Sequence, residues 1–206
     1  MVFHRDETHG LYMAVSRDGY TFTAVNEGEP VLAGDTIAQQ RGVRDPHIFR
    51  GPDGAFYLAM TDLHVFGLRD GYRKTEWERG PEYGWGNNRG LVLMKSWDLI
   101  HWNRANIRFD KLSAGLGEIG CVWAPEVAYD DKKDKLMIYY TMRFKSEANK
   151  LYYVYVNDDF NKIESTPQIL FEYPMDGVSA IDGDITKVGD KYHLFYVAHD
   201  GVGGIK

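Results

Sequence analysis

The apolar positions of this chain come in short runs separated by turn residues, and no window keeps a 3.6-residue period for a useful length. Residues 55–62 (AFYLAMTD), 90–96 (GLVLMKS), 135–142 (KLMIYYTM), 151–157 (LYYVYVN) and 191–198 (KYHLFYVA) are strand-length runs rich in aliphatic and aromatic side chains. Residue types that turn a chain interrupt the pattern at Pro52-Asp53-Gly54, Asp130 to Asp134 and Gly189-Asp190. Turns between two apolar runs predict β-hairpins, so the pattern as a whole predicts an all-β chain of many short strands.

The pattern also repeats. Arg44-Asp45-Pro46-His47-Ile48-Phe49, Trp123-Ala124-Pro125-Glu126-Val127-Ala128 and Ile181-Asp182-Gly183-Asp184-Ile185-Thr186 each precede a turn and an aromatic strand. A second motif follows in the first two units: Ser96-Trp97-Asp98-Leu99-Ile100-His101-Trp102 after the strand at 91–94, and Asn157-Asp158-Asp159-Phe160 after that at 151–155. Ser16-Arg17-Asp18-Gly19-Tyr20-Thr21-Phe22 follows the strand at 11–15, with no first hairpin ahead of it. Two hairpins per unit make about four strands, the blade of a β-propeller. This reading places a closing hairpin at 1–30, a first blade at 40–110, a second at 118–170 and the start of a third at 178–206. An insertion at 65–89 lengthens the first blade, and its Trp77, Tyr83, Trp85, Asn87 and Asn88 are expected to form one wall of a pocket. Propellers commonly close by pairing strands from both chain ends, so a leading outer hairpin expects a trailing inner one. About three blades plus a closing hairpin therefore predict that residues 1–206 are the front part of a longer propeller, able to self-associate through open sheet edges.

Composition narrows the function. Lys and Arg total 24 against 30 Asp and Glu, for a net charge of -6, and no basic cluster interrupts the excess, which argues against a nucleic-acid partner. No apolar run approaches the ~18 residues of a membrane helix. The opening MVFHRDETHG has charges where a signal peptide would need its apolar stretch. One cysteine, Cys121, excludes an intrachain disulfide. That fits a reducing compartment and equally a secreted protein without disulfides, so localisation stays open. A Gly-rich phosphate loop, a Ser-centred nucleophile elbow and Cys/His zinc spacing are all missing from the sequence.

The main chemical lead is acidic. Asp45 precedes Pro46 at a strand start, and Asp182 holds the same place in the third unit. First strands line a propeller's channel, so the two acids are expected to face one cavity from different blades. The second unit has Ala124 there, so folding does not require an acid at this position. Asp184 lies two residues beyond Asp182 and, by a period of two, is expected on the same strand face.

Four segments resemble glycoside hydrolase family 43: VRDPHIF at 43–49, SWDLIHW at 96–102, VWAPEVAYD at 122–130 and AIDGDI at 180–185, in that family's order. The resemblance implies a five-bladed propeller hydrolase acting on pentose-containing plant polysaccharides or oligosaccharides, of α-L-arabinofuranosidase or β-xylosidase type. It implies inversion with Asp45 as general base and Asp182 as the residue that orients the acid and raises its pKa. Base and acid then stand about 6.5–9.5 Å apart, leaving room for a water. The acid is a fourth-blade glutamate, usually within Glu-Gly-Pro, and residues 1–206 contain no such segment. Without it, the 206 residues alone are expected to be inactive or weakly active. Trp123 matches a stacking tryptophan, and with Arg44, Glu126 and Trp85 completes the expected substrate-binding set; Arg41 also flanks Asp45. No cofactor is implied beyond the structural calcium ion that some members hold in the channel. The contrasting expectation is a carbohydrate-binding propeller without turnover.

Overall fold

The structure, a computed structural model, describes residues 1–72, 75–85 and 87–202. Among the described residues, thirteen strands run in chain order. They are β1 (Val2–His4), β2 (Leu11–Val15), β3 (Thr23–Ala24), β4 (Val43–Arg50), β5 (Phe56–Asp62), β6 (Gly90–Ser96), β7 (Asn103–Arg108), β8 (Ile119–Asp130), β9 (Lys135–Phe144), β10 (Lys150–Tyr155), β11 (Gln168–Phe171), β12 (Ala180–Val188) and β13 (Lys191–Ala198). Two four-stranded antiparallel sheets, β4-β5-β6-β7 and β8-β9-β10-β11, stand between a three-stranded sheet β1-β2-β3 and the hairpin β12-β13.

The central strands explain why the apolar runs lack alternation. In β5 and β6 one set of side chains (Tyr57, Ala59, Leu91, Leu93) packs with Val122, Ile138, Tyr140 and Met142 of the next sheet. The alternate set (Leu58, Met60, Val92, Met94) packs with Leu11, Ile37 and Val43 on the other side. A sheet covered on both faces needs apolar residues at every position, which produces the continuous runs in the sequence. Truncating a fully buried side chain such as Leu58 to alanine would cost about 2–5 kcal/mol.

The outer hairpins turn through one shared device. In the β2–β3 turn the Ser16 hydroxyl donates to Asp18 Oδ1 and accepts the Gly19 N–H, while Asp18 Oδ1 accepts the N–H groups of Tyr20 and Thr21. Ser96 and Asp98 do the same for Leu99, Ile100 and His101 between β6 and β7. The residue after the aspartate is left-handed in both, Gly19 at φ 77° and Leu99 at φ 65°. The N-terminal sheet departs from the sequence pattern: β1 pairs with β2, so a strand does precede that hairpin. Three residues are too few to show alternation, and charged neighbours hid it.

Candidate active site

The inner strands β4, β8 and β12 are interrupted at one equivalent point. In β4, Arg44 pairs with Thr61 and His47 with Ala59, so Asp45 and Pro46 together stand against Met60. Ala124 and Pro125 are placed likewise between the Trp123–Thr141 and Glu126–Tyr139 pairs, and Asp182 and Gly183 between Ile181–Val197 and Asp184–Phe195. These are β-bulges whose first residue is left-handed, a position that usually selects glycine. Here the values are φ 47° at Asp45, 46° at Ala124 and 52° at Asp182. Asp tolerates this region better than Ala does. Pro46 and Pro125 fit the second bulge position because its N–H has no ladder partner to lose. Gly183 fits because a Cβ there would meet Leu151 Cδ1 at 2.7 Å.

Each bulge is tied to the preceding sheet. The Asp45 N–H donates to His4 Nδ1 at 3.2 Å, that of Ala124 to Thr61 Oγ1 at 2.9 Å, and that of Asp182 to Thr141 Oγ1 at 3.1 Å. Three residues further on, the Val127 N–H donates to His47 Nδ1 at 3.0 Å and that of Ile185 to the Tyr139 hydroxyl at 3.0 Å. Thr61 then donates its own proton to Asp45 Oδ2 at 2.9 Å, which fixes the carboxylate's orientation.

The bulges converge on a cleft of about 170 Å³ lined by Asp45, Pro46, His47, Ala124, Pro125, Glu126, Asp182 and Gly183. Asp182 has a raised pKa, first because it is buried and then because Asp45 is nearby; His199 acts in the opposite direction. Burial also pushes Glu126 up to about 7, against a hydrogen bond from the Tyr139 hydroxyl, with Asp184 and Asp182 adding repulsion. Burial lowers the His47 pKa, so its imidazole favours the neutral form that accepts the Val127 N–H. The cleft thus holds two carboxyls, Glu126 and Asp182, whose proton affinity is raised by burial, a property suited to acid–base chemistry.

Of the residues expected from sequence, Asp45, Asp182 and Glu126 line this cleft. Trp123 is not among the lining residues and stands opposite Thr141 across β8 and β9, and Trp85 packs on Trp123 with ring centroids 5.4 Å apart. Arg44 is not among the lining residues and pairs instead with Asp6, while Arg41 lies over the Tyr72 ring. The period-two expectation for Asp184 fails because the bulge intervenes: Asp184 is outside the cleft lining, electrostatically coupled to His47 and Glu126. Most of the residues expected to form a wall from the insertion are interior, although many of the described residues around them are exposed. Trp77, Tyr83, Asn87 and Asn88 are buried, and Asn88 bonds the backbone of Asp62, Gly90 and Val122. Trp85 alone of these five is exposed. The sequence reading missed Thr61, Thr141 and Tyr139, whose one signal was their place in central strands otherwise apolar. Among the described residues, no cluster of three His, Cys, Asp or Glu side chains is arranged to hold a metal ion, so no calcium site is assigned.

Two acids at repeated bulges of separate antiparallel sheets thus share one cleft. Residues 2–205 match the family model described as "Probable glycosyl hydrolase domain", and the chain belongs to this family, related to glycoside hydrolase family 43. Among curated proteins it is 25% identical over 193 residues to an α-L-arabinofuranosidase of Bifidobacterium longum subsp. longum, covering 86% of this chain and 17% of that protein. Among solved structures it resembles an α-L-arabinofuranosidase from Clostridium thermocellum, with a TM-score of 0.61 at 16% identity over 92% of this chain and 54% of that one. It also resembles an α-L-arabinanase of Penicillium chrysogenum complexed with arabinobiose, with a TM-score of 0.59 at 16% identity over 91% of this chain and 49% of that one. The chain thus spans about half the length of these solved proteins and a sixth of the curated one.

Proposed function

We propose that this chain supplies the substrate cleft of an inverting glycoside hydrolase that releases α-L-arabinofuranose or β-D-xylopyranose from plant polysaccharides or oligosaccharides. One observation carries the reading: two acids, Asp45 and Asp182, occupy equivalent bulges on separate sheets and line one cleft, while the equivalent between them is Ala124. Family membership and the arabinofuranosidase relative support the substrate class.

In this mechanism Asp45, oriented by the Thr61 hydroxyl, takes a proton from the water that attacks the anomeric carbon. Asp182 is the modulator, a carboxyl whose own proton affinity is raised and which holds the proton on its neighbour by repulsion. The proton donor to the leaving oxygen is a glutamate outside residues 1–206, so the 206-residue chain alone turns over substrate weakly or not at all.

The test uses a longer polypeptide containing these residues, assayed on aryl α-L-arabinofuranoside and aryl β-D-xylopyranoside. Asp45→Asn should lower kcat/KM by about 10²–10⁴-fold, and Asp182→Asn by about 10–10². Retained activity in Asp45→Asn overturns the assignment of the base. Product with retained anomeric configuration, read by NMR, overturns inversion, and sugar binding without turnover makes the propeller a binding module.

A further inference from the structure

The insertion of the β4–β7 sheet comes to rest on the β8–β11 sheet at a buried cation. Arg143 of β9 is 7% exposed. Its Nη2 donates to the carbonyl oxygens of Tyr83 and Trp85, each at 3.0 Å. Nη1 donates to Asn149 Oδ1 at 3.0 Å and Cys121 Sγ at 3.2 Å, and Nε to the Lys145 carbonyl at 3.2 Å. Among the described residues these acceptors are all neutral. The guanidinium carbon also lies 5.0 Å from the centroid of the Trp123 ring.

Gly84 makes the double contact with the insertion feasible. Its backbone, at φ 61° and ψ -138°, is in a region open essentially to glycine, and brings the carbonyls on either side of it to one nitrogen. The Tyr83 hydroxyl donates to Glu118 Oε2 at 3.0 Å, a second tie between the insertion and the neighbouring sheet.

We propose that Arg143 is a positioning residue that docks the insertion so that Trp85 presents a sugar-stacking face beside the acids. Trp85 is 60% exposed and tilted 49° against Trp123, whereas Trp123 is partly buried with its Nε1 enclosed. Trp123 therefore supports the platform and Trp85 carries its accessible surface. Burying a guanidinium against neutral acceptors is costly. The planar fork of Arg explains its use here, because a lysine ammonium cannot reach the same acceptors at fixed angles. Trp123 stands opposite Thr141 across β8 and β9, and the Thr141 hydroxyl accepts the Asp182 N–H, so the platform suits the apolar face of the sugar ring next to the one at the acids. This deepens the glycosidase reading and rests on it for the class of ligand.

Two coupled indoles give an exciton couplet in circular dichroism, a readout independent of turnover. Trp85→Phe should abolish the couplet, and Arg143→Lys should reduce it by at least half with cooperative melting retained. Gly84→Ala strains the same turn while leaving the guanidinium in place, its Cβ meeting Arg143 Nη2 at 3.4 Å, and should act like Arg143→Lys, which keeps the test decisive if that variant does not fold. Xylotriose and arabinotriose titrations should show Trp85→Ala and Arg143→Lys weakening affinity about three- to tenfold. A couplet unchanged in both Arg143→Lys and Gly84→Ala overturns the docking role. Trisaccharide affinity unchanged in Trp85→Ala, or no trisaccharide binding by the native chain, overturns the platform. Failure of the glycosidase reading would register separately, as no turnover of either aryl glycoside by the longer polypeptide.

Discussion

The bulges of β4 and β8 share a backbone and differ in one side chain. Asp45 has φ 47° and Ala124 φ 46°, each N–H donates to a side chain of the preceding sheet, and a proline follows each. Ala124 gains nothing from the left-handed conformation, which costs a non-glycine residue about 1–2 kcal/mol. The bulge is thus a requirement of the fold, met even where its side chain does no chemistry, and the fold offers the position to whichever residue the chemistry needs. Asp45 uses it for a carboxylate held by Thr61, the same hydroxyl that accepts the Ala124 N–H.

The comparison can be broken most strongly at that shared hydroxyl. Thr61→Val leaves the half-buried Ala124 N–H without its acceptor and Asp45 without its donor, and should destabilise by about 1–3 kcal/mol in urea unfolding. Thr141→Val removes the acceptor of the Asp182 N–H and frees no carboxylate, and should cost less. The next effect lies two residues beyond the bulge, where β4 has His47 and β8 has Glu126. Glu126 titrates at about 7 in the folded chain against 4.5 in its ordinary state, so the folded chain retains a proton that the unfolded chain releases. Stability is therefore lost as pH rises from about 4.5 to 7, by about 1–2 kcal/mol once solvent screening of a partly exposed carboxyl is allowed for. Glu126→Gln should flatten urea midpoints across that window; an unchanged slope would show that Glu126 is ionised throughout. The smallest effect is Ala124→Gly, which relieves the left-handed strain against a loss of chain entropy and should stabilise by no more than about 1 kcal/mol. A destabilisation above that would show that the Ala124 methyl packs in the cleft.

The sequence made the equivalence of positions 45, 124 and 182 legible because a repeated fold repeats its turn and strand signals around them. It did not reveal the bulges. Asp-Pro, Ala-Pro and Asp-Gly share no residue type that marks a left-handed first position, and the missed bulge misplaced Asp184. The insertion misled for a different reason. Trp77 and Asn88 look like loop residues, yet their partners, Arg89 and Arg108 for Trp77 and Asp62, Gly90 and Val122 for Asn88, enclose them in the tertiary structure. Arg143 was invisible for the same reason: in sequence it is one cation in an apolar strand, and its role depends on carbonyls 58 and 60 residues away.

The serine–aspartate turns have a consequence for the order in which the molecule assembles. Their hydrogen bonds span two or three residues, so the sheet margins can form without waiting for the rest of the chain. The ties around the cleft span 41, 63 and 80 residues, and contacts of such separation carry the largest loop-closure cost. Folding is therefore expected to run from these turns inward to the cleft, and mild denaturation should cost the cleft its shape while hairpin signals in circular dichroism persist.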